Sequence, residues 1–563
     1  MIPGRVKQFE RFQQFKLHRK RGLDRPQLVD HIILAEFDID TGSTVRHKYP
    51  GPVPGYSDDW FAEYMLPEGA HNHSLDWTVM FLNKGKPMLD GREEGNDTGS
   101  NLASAGDEKE GRTGPFLYCI NLVRKKDDPT VRRGAVVKAM AVCSQYHFIE
   151  MFRPMLIIAL DAYYETLDKV VLEDLFASLN AADLSVVPQP YPHEKRLMRR
   201  GVAGRHMGST PVEHLQHKWT HTLAFEYGQQ KIQANMPLHT SADETLTASV
   251  TLLMNIFGPA AMKIYNAVLT GQRVLFVGYN HAAGDVCKIV LAACAMVAPP
   301  LHGILHRTFP YANLSDLSFL EYDGFVAGVT NPMFESHTEW WDLLCQLDLP
   351  NGTGTVLTVE EKQAMDASKG SKAPPKMPAR VTLEDLVVED DAPFSQKVIA
   401  GVSNNLDEQW VRVMFYDYTQ QLLDMAIDQD TGLATSYTDA ESYGKMLAAN
   451  AWRLKHLRTM AHLDDPRSLH CDPWRLVKEL FSEGKDGAID GVKLRSVMRR
   501  MEMENDMDTA EVCETFKLLE ESLQSEPSLQ VLLGRLPESK AGISPIALGL
   551  LNNDPQIQGY AKA

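Results

Sequence analysis

Residues 31–82 limit the possible folds more than any other stretch, because strand-like and turn-forming segments alternate there in a fixed order. Residues 31–37 (HIILAEF) are mostly aliphatic and alternate in polarity at their end. A second extended run, residues 43–49, follows the turn-forming sequence DTG at positions 40–42. Two extended runs at this spacing are typical of a β-hairpin. The sequence therefore predicts a two-stranded ribbon over residues 31–49.

The chain leaves this ribbon through a proline-rich corner, residues 50–55 (PGPVPG), which cannot continue a strand. Asp58 and Asp59 are predicted to cap a short helix over residues 60–65, which the sequence PEG at 67–69 ends. Residues 77–82 (WTVMFL) are typical of a buried strand that rejoins the sheet. None of these residues is placed like a nucleophile or a set of metal ligands.

Further strands and two helices are predicted beyond residue 114. Residues 115–123 (PFLYCINLV) and 135–143 (AVVKAMAVC) are strand-like, while residues 149–166 and 167–179 carry apolar faces at helical spacing. Residues 84–114 are rich in Gly, Ser, Asn, Asp and Glu and are expected to form a mobile insertion. The pattern predicts an antiparallel sheet with helices packed on it.

A second α/β pattern begins near residue 249. It predicts a helix over residues 249–269, a buried strand over 272–278 (QRVLFVG) and a buried helix over 285–297 capped by Asp285. The loop between strand and second helix contains Gly278 and Gly284, but neither a G-x-G-x-x-G nor a G-K-[ST] motif, so nucleotide binding is not expected. The sequence also contains no G-x-S-x-G, H-E-x-x-H or kinase motif. We therefore predict no catalytic residue and no cofactor.

Two segments have a residue spacing that suggests metal binding, but neither contains the full set of ligand residues that such a site needs. His214, His217 and His221 are spaced for one face of a predicted helix, but no Cys or carboxylate lies at a convincing ligand spacing beside them. Residues 481–498 resemble a calcium-binding helix-loop-helix in which Lys493 replaces the bidentate glutamate. No metal site is therefore predicted, and the histidines are expected to face solvent or form hydrogen bonds.

Charge is distributed unevenly along the chain. The first 25 residues have a net charge of +6, so the remainder has −23 of a total of −17. Two interpretations of these first 25 residues, the basic head, remain open: a disordered basic tail, or a short amphipathic helix on anionic lipid. In the second, the membrane-facing residues would be Arg5, Lys7, Arg11, Lys16, Arg19, Lys20 and Arg21. The acidic body argues against nucleic acid as the main partner.

Cysteine usage and hydropathy predict a cytoplasmic protein. Its seven cysteines are scattered and include no CxxC pair. The longest uncharged apolar stretch, residues 289–301, contains two prolines and is shorter than the ~20 residues that span a bilayer, so it is expected to be a core helix. No signal peptide is recognised. Any contact with the plasma membrane or vesicles is expected to be peripheral and to use the basic head.

The carboxyl-terminal third is predicted to be helical. A short capped element over residues 382–386 and a long helix or helix pair over 394–428 are expected. The resulting division of the chain is a basic segment (1–27), a first module (28–185), a linker (186–240), a central module (241–357), a linker (358–380), a helical module (381–475) and a helical tail (476–563).

The order of motifs in residues 31–82 resembles the amino-terminal Arf-docking domain of fungal polarity-axis proteins of the tripartite DENN group. The shared features are AEFD, a G-S-x-V hairpin, a YP corner, a helix ending in MLPEGAH and a strand beginning DWTVMFL. The segments LTGQRVLFVG, PPLHGILHRTFPY and FVAGVTNPMFE resemble the central DENN module. The resemblance implies an α/β multi-domain protein with a longin-like antiparallel sheet, a central α/β DENN module and an all-helical last module.

This resemblance also implies a role with Arf- or Rab-type small GTPases in vesicle traffic and cell polarity. Two hypotheses follow: a guanine-nucleotide exchange factor, or an effector or scaffold that binds only the GTP form. The groove between the first and central modules is a usual partner surface in the resembled family. A hydrolase or transferase is disfavoured because no nucleophile constellation is present.

The corner and the short helix are predicted to contact the partner. Their mixture of Arg, Trp and Tyr is typical of binding hot spots, and the candidate residues are Arg46, Lys48, Tyr56, Trp60, Phe61 and Tyr64. In the alternative interpretation, Trp60, Phe61 and Met65 only pack the helix onto the sheet.

Overall fold

The computed structural model describes residues 27–38, 42–84, 116–128, 135–188, 220–228, 230–245, 247–368, 380–431 and 440–461. The basic residues 5–21, nearly all of the expected insertion and the degenerate helix-loop-helix at 481–498 lie outside these ranges. The described residues form a mixed α/β structure with two five-stranded sheets and a separate hairpin, so the predicted α/β class is confirmed.

An antiparallel sheet forms the centre of the first module. Its strands are β1 (His31–Asp38), β2 (Gly42–Tyr49), β3 (Leu75–Leu82), β4 (Leu117–Asp127) and β5 (Ala135–Ser144), in the order β2-β1-β5-β4-β3. All four pairings are antiparallel, as predicted. Strands β2 and β3 form its two edges, and β3 is the edge that meets the central module.

Both faces of this sheet are covered, which explains why its strands are apolar on both sides. Helix α1 (Asp58–Met65) covers one face and helices α2 (Arg153–Thr166) and α3 (Val170–Asn180) cover the other. Because successive side chains of a strand point to opposite faces, Ile32 packs with α2 and α3 while Ile33 packs with α1. The predicted caps of α1 are wrong: Ser57 Oγ accepts the hydrogen bond from Trp60 N at 3.1 Å, and Asp58 and Asp59 lie within the first turn.

A hairpin of β6 (Thr220–Tyr227) and β7 (Gln230–Pro237) lies within the expected linker. Its alternating sequence buries Leu223 and Phe225 in the core that contains α3, and Ser178 Oγ in α3 donates to the carbonyl of Glu226 at 2.5 Å. The helix predicted through His221 is therefore wrong, because His221 lies in β6. His214 and His217 lie outside the described residues.

The central module is an open, mostly parallel sheet with helices. Its elements are α4 (Val250–Phe257), α5 (Ala261–Leu269), β8 (Val274–Val277), α6 (Ala283–Ala295), β9 (Thr308–Phe309), β10 (Val326–Val329), β11 (Leu343–Asp348) and β12 (Thr353–Thr358). The strand order is β12-β11-β8-β10-β9, with β8 parallel to β10 and β11 and only β12 antiparallel.

Two details of the central helices correct the sequence prediction. The single helix expected over 249–269 breaks at Gly258, which has a left-handed φ of 52°, and Pro259, which lacks an N–H. Asp285 does not cap α6, because the helix begins at Ala283 and Ala282 occupies the cap position. Within the described residues, Val250–Leu269 is the one stretch long and apolar enough to cross a bilayer, and 67% of an 18-residue segment of it is buried in the fold, as in a core helix.

The last described elements are helical, and those beyond residue 380 were predicted to be so. They are α7 (Val359–Ser368), α8 (Leu383–Leu386), α9 (Asp391–Ser403), α10 (Glu408–Thr431) and α11 (Ala440–Met460). The region expected as a helix or helix pair is the pair α9 and α10, and α7 occupies the start of the expected 358–380 linker. A buried ion pair between Arg453 and Asp391, 2.6 Å apart, and a hydrogen bond from Asn266 in α5 to Asp391 join these helices to the central module.

Candidate functional site

The predicted partner-binding helix α1 lies at the contact between the first and central modules. Trp60 Nε1 donates to Asp316 Oδ2 at 2.7 Å, and the hydroxyl of Tyr64 donates to the same oxygen at 3.3 Å. The two rings stack with centroids 4.1 Å apart. Asp316 belongs to the loop after β9, so these three side chains connect the modules; we call them the aromatic latch.

The other predicted residues divide into buried aromatics and exposed cations. Phe61 is buried beneath the sheet, and the half-buried Tyr56 accepts a hydrogen bond from Asn83 N at 2.9 Å. Arg46 and Lys48 are exposed on the edge strand β2. Lys48 Nζ lies 2.6 Å from Asp58 and Arg46 Nε lies 3.3 Å from Glu36. A partner-binding role for these six residues remains a prediction, while the contacts of Phe61 and Tyr64 are those of packing residues.

A cleft of about 280 Å³ lies at the same module boundary. One wall is the turn after α1, which contributes Glu68, Gly69, Asn72 and His73. The opposite wall consists of the loops that follow β8 and β10, residues 279–281 and 330–332. The cleft is therefore lined by both modules.

The position of the cleft follows from the topology of the central sheet. Strands β8 and β10 are parallel neighbours, so their carboxyl ends and the loops that follow lie at one edge of the sheet. Open α/β sheets bind their ligands in the crevice outside this edge. Here the turn 68–73 of the first module closes the crevice from the other side, and sequence periodicity alone could not reveal that contact.

Two large exposed side chains with apolar surface lie in the cleft lining or next to it in the chain. Tyr279 is 57% exposed and Met333, directly after the lining residue Pro332, is 55% exposed. Aromatic and Met side chains are enriched in the cores of protein interfaces. The lining itself offers mainly amide, imidazole and backbone groups, which suit hydrogen bonding to a polypeptide.

The two glycines that the sequence places between β8 and α6 serve close packing, Gly278 in the loop and Gly284 in the first turn of α6. A Cβ on Gly278 would lie 2.3 Å from the side chain of Val286, and a Cβ on Gly284 would lie 2.3 Å from Trp77 Nε1. Each glycine thus lets a neighbouring element approach the backbone. This packing explains both glycines without a phosphate ligand.

Polar contacts beyond the latch join β3 and the turn 68–73 to the central module. The two oxygens of Asp76 accept hydrogen bonds from Ala283 N at 3.0 Å and Gly284 N at 2.9 Å. Burial raises the pKa of Asp76 above its ordinary value, although these bonds and one from Trp77 N oppose the rise. Glu68 N donates to the hydroxyl of Tyr311 at 3.0 Å, and Lys84 Nζ lies 3.3 Å from the centre of the Phe309 ring.

Apolar packing crosses the same boundary. Ala283, Cys287 and Tyr311 of the central module belong to the hydrophobic core that lies beneath α1. The two modules thus share part of one core.

These features define a multi-module α/β protein with a cleft between its first two modules. Comparison with known proteins then shows which families its segments match. Residues 31–109 match the family described as the docking domain of Afi1 for Arf3 in vesicle trafficking, and residues 247–353 match the family described as stabilization of polarity axis. An AFI1-like protein of Schizosaccharomyces pombe is 22% identical and covers 94% of this chain and 92% of its own length. The resemblance to fungal Arf-docking, polarity-axis proteins is confirmed.

Proposed function

We propose that this protein docks a small GTPase of the Arf type in vesicle trafficking and cell polarity, and that the inter-module cleft is the docking site. One observation carries the proposal: all residues that line the cleft come from the two segments that match these families. The turn 68–73 lies in the docking-domain match, and residues 279–281 and 330–332 lie in the polarity-axis match.

The domain organisation supports a tripartite DENN-type assembly. An antiparallel sheet with helices on both faces is consistent with a longin-like module, and it is followed by an open α/β module and then by helices. We assign the protein to the cytoplasm. The membrane role of the basic head and a Rab-type partner remain predictions from the sequence.

Docking is compatible with two biochemical outcomes. An exchange factor would bind the switch regions of the GTPase and stabilise its nucleotide-free form, without a covalent intermediate. An effector or scaffold would bind only the GTP form. Docking without exchange is the function we favour, because it requires only the recognition surface described above.

The test is to measure binding and GDP release for a panel of purified Arf and Rab GTPases with the full chain. Docking predicts that at least one GTPase binds and that Tyr279→Ala and Met333→Ala each weaken this binding roughly 10- to 100-fold at unchanged melting temperature. The matched control is Val170→Ala, because Val170 is an apolar side chain, 45% exposed, at the start of α3 and outside the cleft lining.

Two results would contradict the proposal. One is a panel in which no GTPase binds in either nucleotide state. The other is binding that both cleft variants retain at the affinity of the unmodified chain. Accelerated GDP release would instead assign exchange activity to the docked complex.

A further inference from the structure

Helix α6 receives its amino-terminal cap from the other module. The first amides of a helix have no partner within the helix, and Ala282, at the cap position, has no side-chain acceptor. Asp76 in β3 supplies both missing acceptors, one oxygen to Ala283 N and the other to Gly284 N. Asp76 is 3% exposed, so solvent has little access to this contact.

The residue after Asp76 holds the same point of the helix by packing. The indole of Trp77 lies directly against Gly284, where a Cβ would approach its ring to 2.3 Å. The guanidinium of Arg153 lies 3.9 Å from the centre of the Trp77 ring. Two adjacent residues of β3 therefore fix the start of α6, one by hydrogen bonds and one by contact.

The wall of the cleft spans the short distance between this fixed point and β8. Strand β8 ends at Val277 and α6 begins at Ala283, so residues 278–282 form the whole connection. Gly278 N donates to the carbonyl of Val329 at 2.9 Å, and this bond holds the other end of the connection. The positions of Tyr279 and Asn280 thus depend on where Asp76 holds the helix.

We propose that Asp76 is a positioning residue that shapes the cleft by fixing the amino terminus of α6 across the module boundary. The part of this inference that concerns partner affinity rests on the proposed function. The part that concerns the cleft wall does not. Through this one side chain, the docking-domain segment would control the geometry of the polarity-axis segment.

The test compares two inter-module caps in the full chain. Asp76→Asn keeps the shape and one acceptor oxygen but removes the charge and the second strong acceptor. Glu408→Gln is the matched control, because Glu408 of α10 accepts from Val250 N and Thr251 N at 2.9 Å and caps α4, which does not line the cleft. The probe is amide hydrogen–deuterium exchange over residues 278–286 in the absence of any partner.

We expect Asp76→Asn to accelerate exchange at Ala283 and Gly284 roughly 10-fold, and to accelerate exchange across residues 279–282, since hydrogen bonds to charged groups are among the stronger ones. Glu408→Gln should leave this region unchanged. Unchanged exchange in Asp76→Asn, or acceleration confined to residues 283 and 284, would overturn the inference. If Asp76→Asn does not fold, Asp76→Glu replaces it in the comparison with Glu408→Gln. Asp76→Glu keeps the charge but moves the carboxylate by one methylene, so it changes the position of the acceptor oxygens.

Binding provides the second measurement. With a GTPase that binds the unmodified chain, Asp76→Asn should weaken binding about 10-fold and Glu408→Gln should not. Equal weakening by both variants would show a merely structural role and would overturn the inference. A panel in which no GTPase binds removes the proposed function, and the exchange measurement still decides whether Asp76 positions the wall.

Discussion

The aromatic latch predicts that Trp60 contributes to the stability of the module contact. The informative substitutions are Trp60→Phe, which removes the indole N–H and keeps an aromatic ring, and Asp316→Asn, which removes the negative charge of the group that accepts the indole hydrogen bond. The 2.7 Å bond from Trp60 Nε1 ends on a carboxylate, and such bonds contribute about 1.5–3 kcal/mol. Trp60→Phe should therefore lower the free energy of unfolding by about 1.5–3 kcal/mol.

Trp60→Ala should cost more, because it also removes the ring stacked on Tyr64 at 4.1 Å. Aromatic pairs contribute about 0.5–1.5 kcal/mol beyond their buried area. The loss from the hydrogen bond and the stacking together should therefore be about 2–4.5 kcal/mol, and the lost buried area adds to it. A residue that only binds a partner would behave differently, since its removal would lower affinity and leave stability unchanged.

The assay is urea-induced unfolding of the full chain for Trp60→Phe, Asp316→Asn and the double variant. This cycle isolates the interaction between the two side chains. The control is Lys48→Ala, whose ion pair with Asp58 lies on the surface and should contribute less than about 1 kcal/mol. A coupling energy below about 0.5 kcal/mol, or lost GTPase binding by Trp60→Ala at unchanged stability, would refute the latch and restore the sequence-based interpretation of Trp60 as a partner-binding residue.

Three further predictions concern buried groups. Burial raises the pKa of Asp76 above 3.8, so the Asp76 carboxyl binds a proton more tightly in the folded state than in the unfolded state. The stability of the unmodified chain relative to Asp76→Asn should therefore fall as the pH rises from about 3.8 through the raised pKa. Arg453→Met should cost about 3–5 kcal/mol, because it leaves Asp391 buried without its cation, whereas the half-buried pair of Lys263 with Glu361 should contribute about 1 kcal/mol or less. Maleimide should not label the native chain at five buried cysteines, whose thiols are inaccessible: Cys119, Cys143, Cys287, Cys294 and Cys345.

Each of these predictions has its own measurement. Urea unfolding of both chains between pH 3.5 and 7 tests Asp76, and a stability difference independent of pH would contradict the argument. Equal losses for Arg453→Met and Lys263→Met would show that burial does not distinguish the two ion pairs. Mass spectrometry after native labelling tests the cysteines. Burial raises the pKa of Cys294 to about 11 and that of Cys287 to about 12, so rapid labelling of either thiol would contradict its described environment.

Elements whose formation depends on local sequence were predictable. Strands β1 to β5 and helices α1 to α3 lie close to their expected positions, because runs of apolar residues, turn residues and helical spacing are properties of adjacent positions. The wrong prediction of the α1 cap also concerns adjacent residues. Asp58 and Ser57 are both competent caps, and only the backbone conformation at Ser57 decides between them.

The hairpin β6–β7 shows a different limit. Its alternating sequence THTLAFEY is strand-like, yet the histidine spacing suggested a helix in the segment that ends there. The hairpin forms because Leu223, Phe225 and Tyr227 are buried together in the core of the first module. A two-stranded ribbon is marginal alone, so its stability comes from distant parts of the chain.

The sequence by itself determined the α/β class, most strands and helices, and the resemblance to Arf-docking, polarity-axis proteins, because all three are encoded in residues close together along the chain. The tertiary structure alone decided which surfaces meet. Asp76 and Ala283 are far apart in sequence, and so are Trp60 and Asp316, yet both contacts cross the same boundary. A carboxylate can cap any helix, and an aromatic ring can pack or bind. The neighbour that folding brings beside each side chain determines which of these roles it takes.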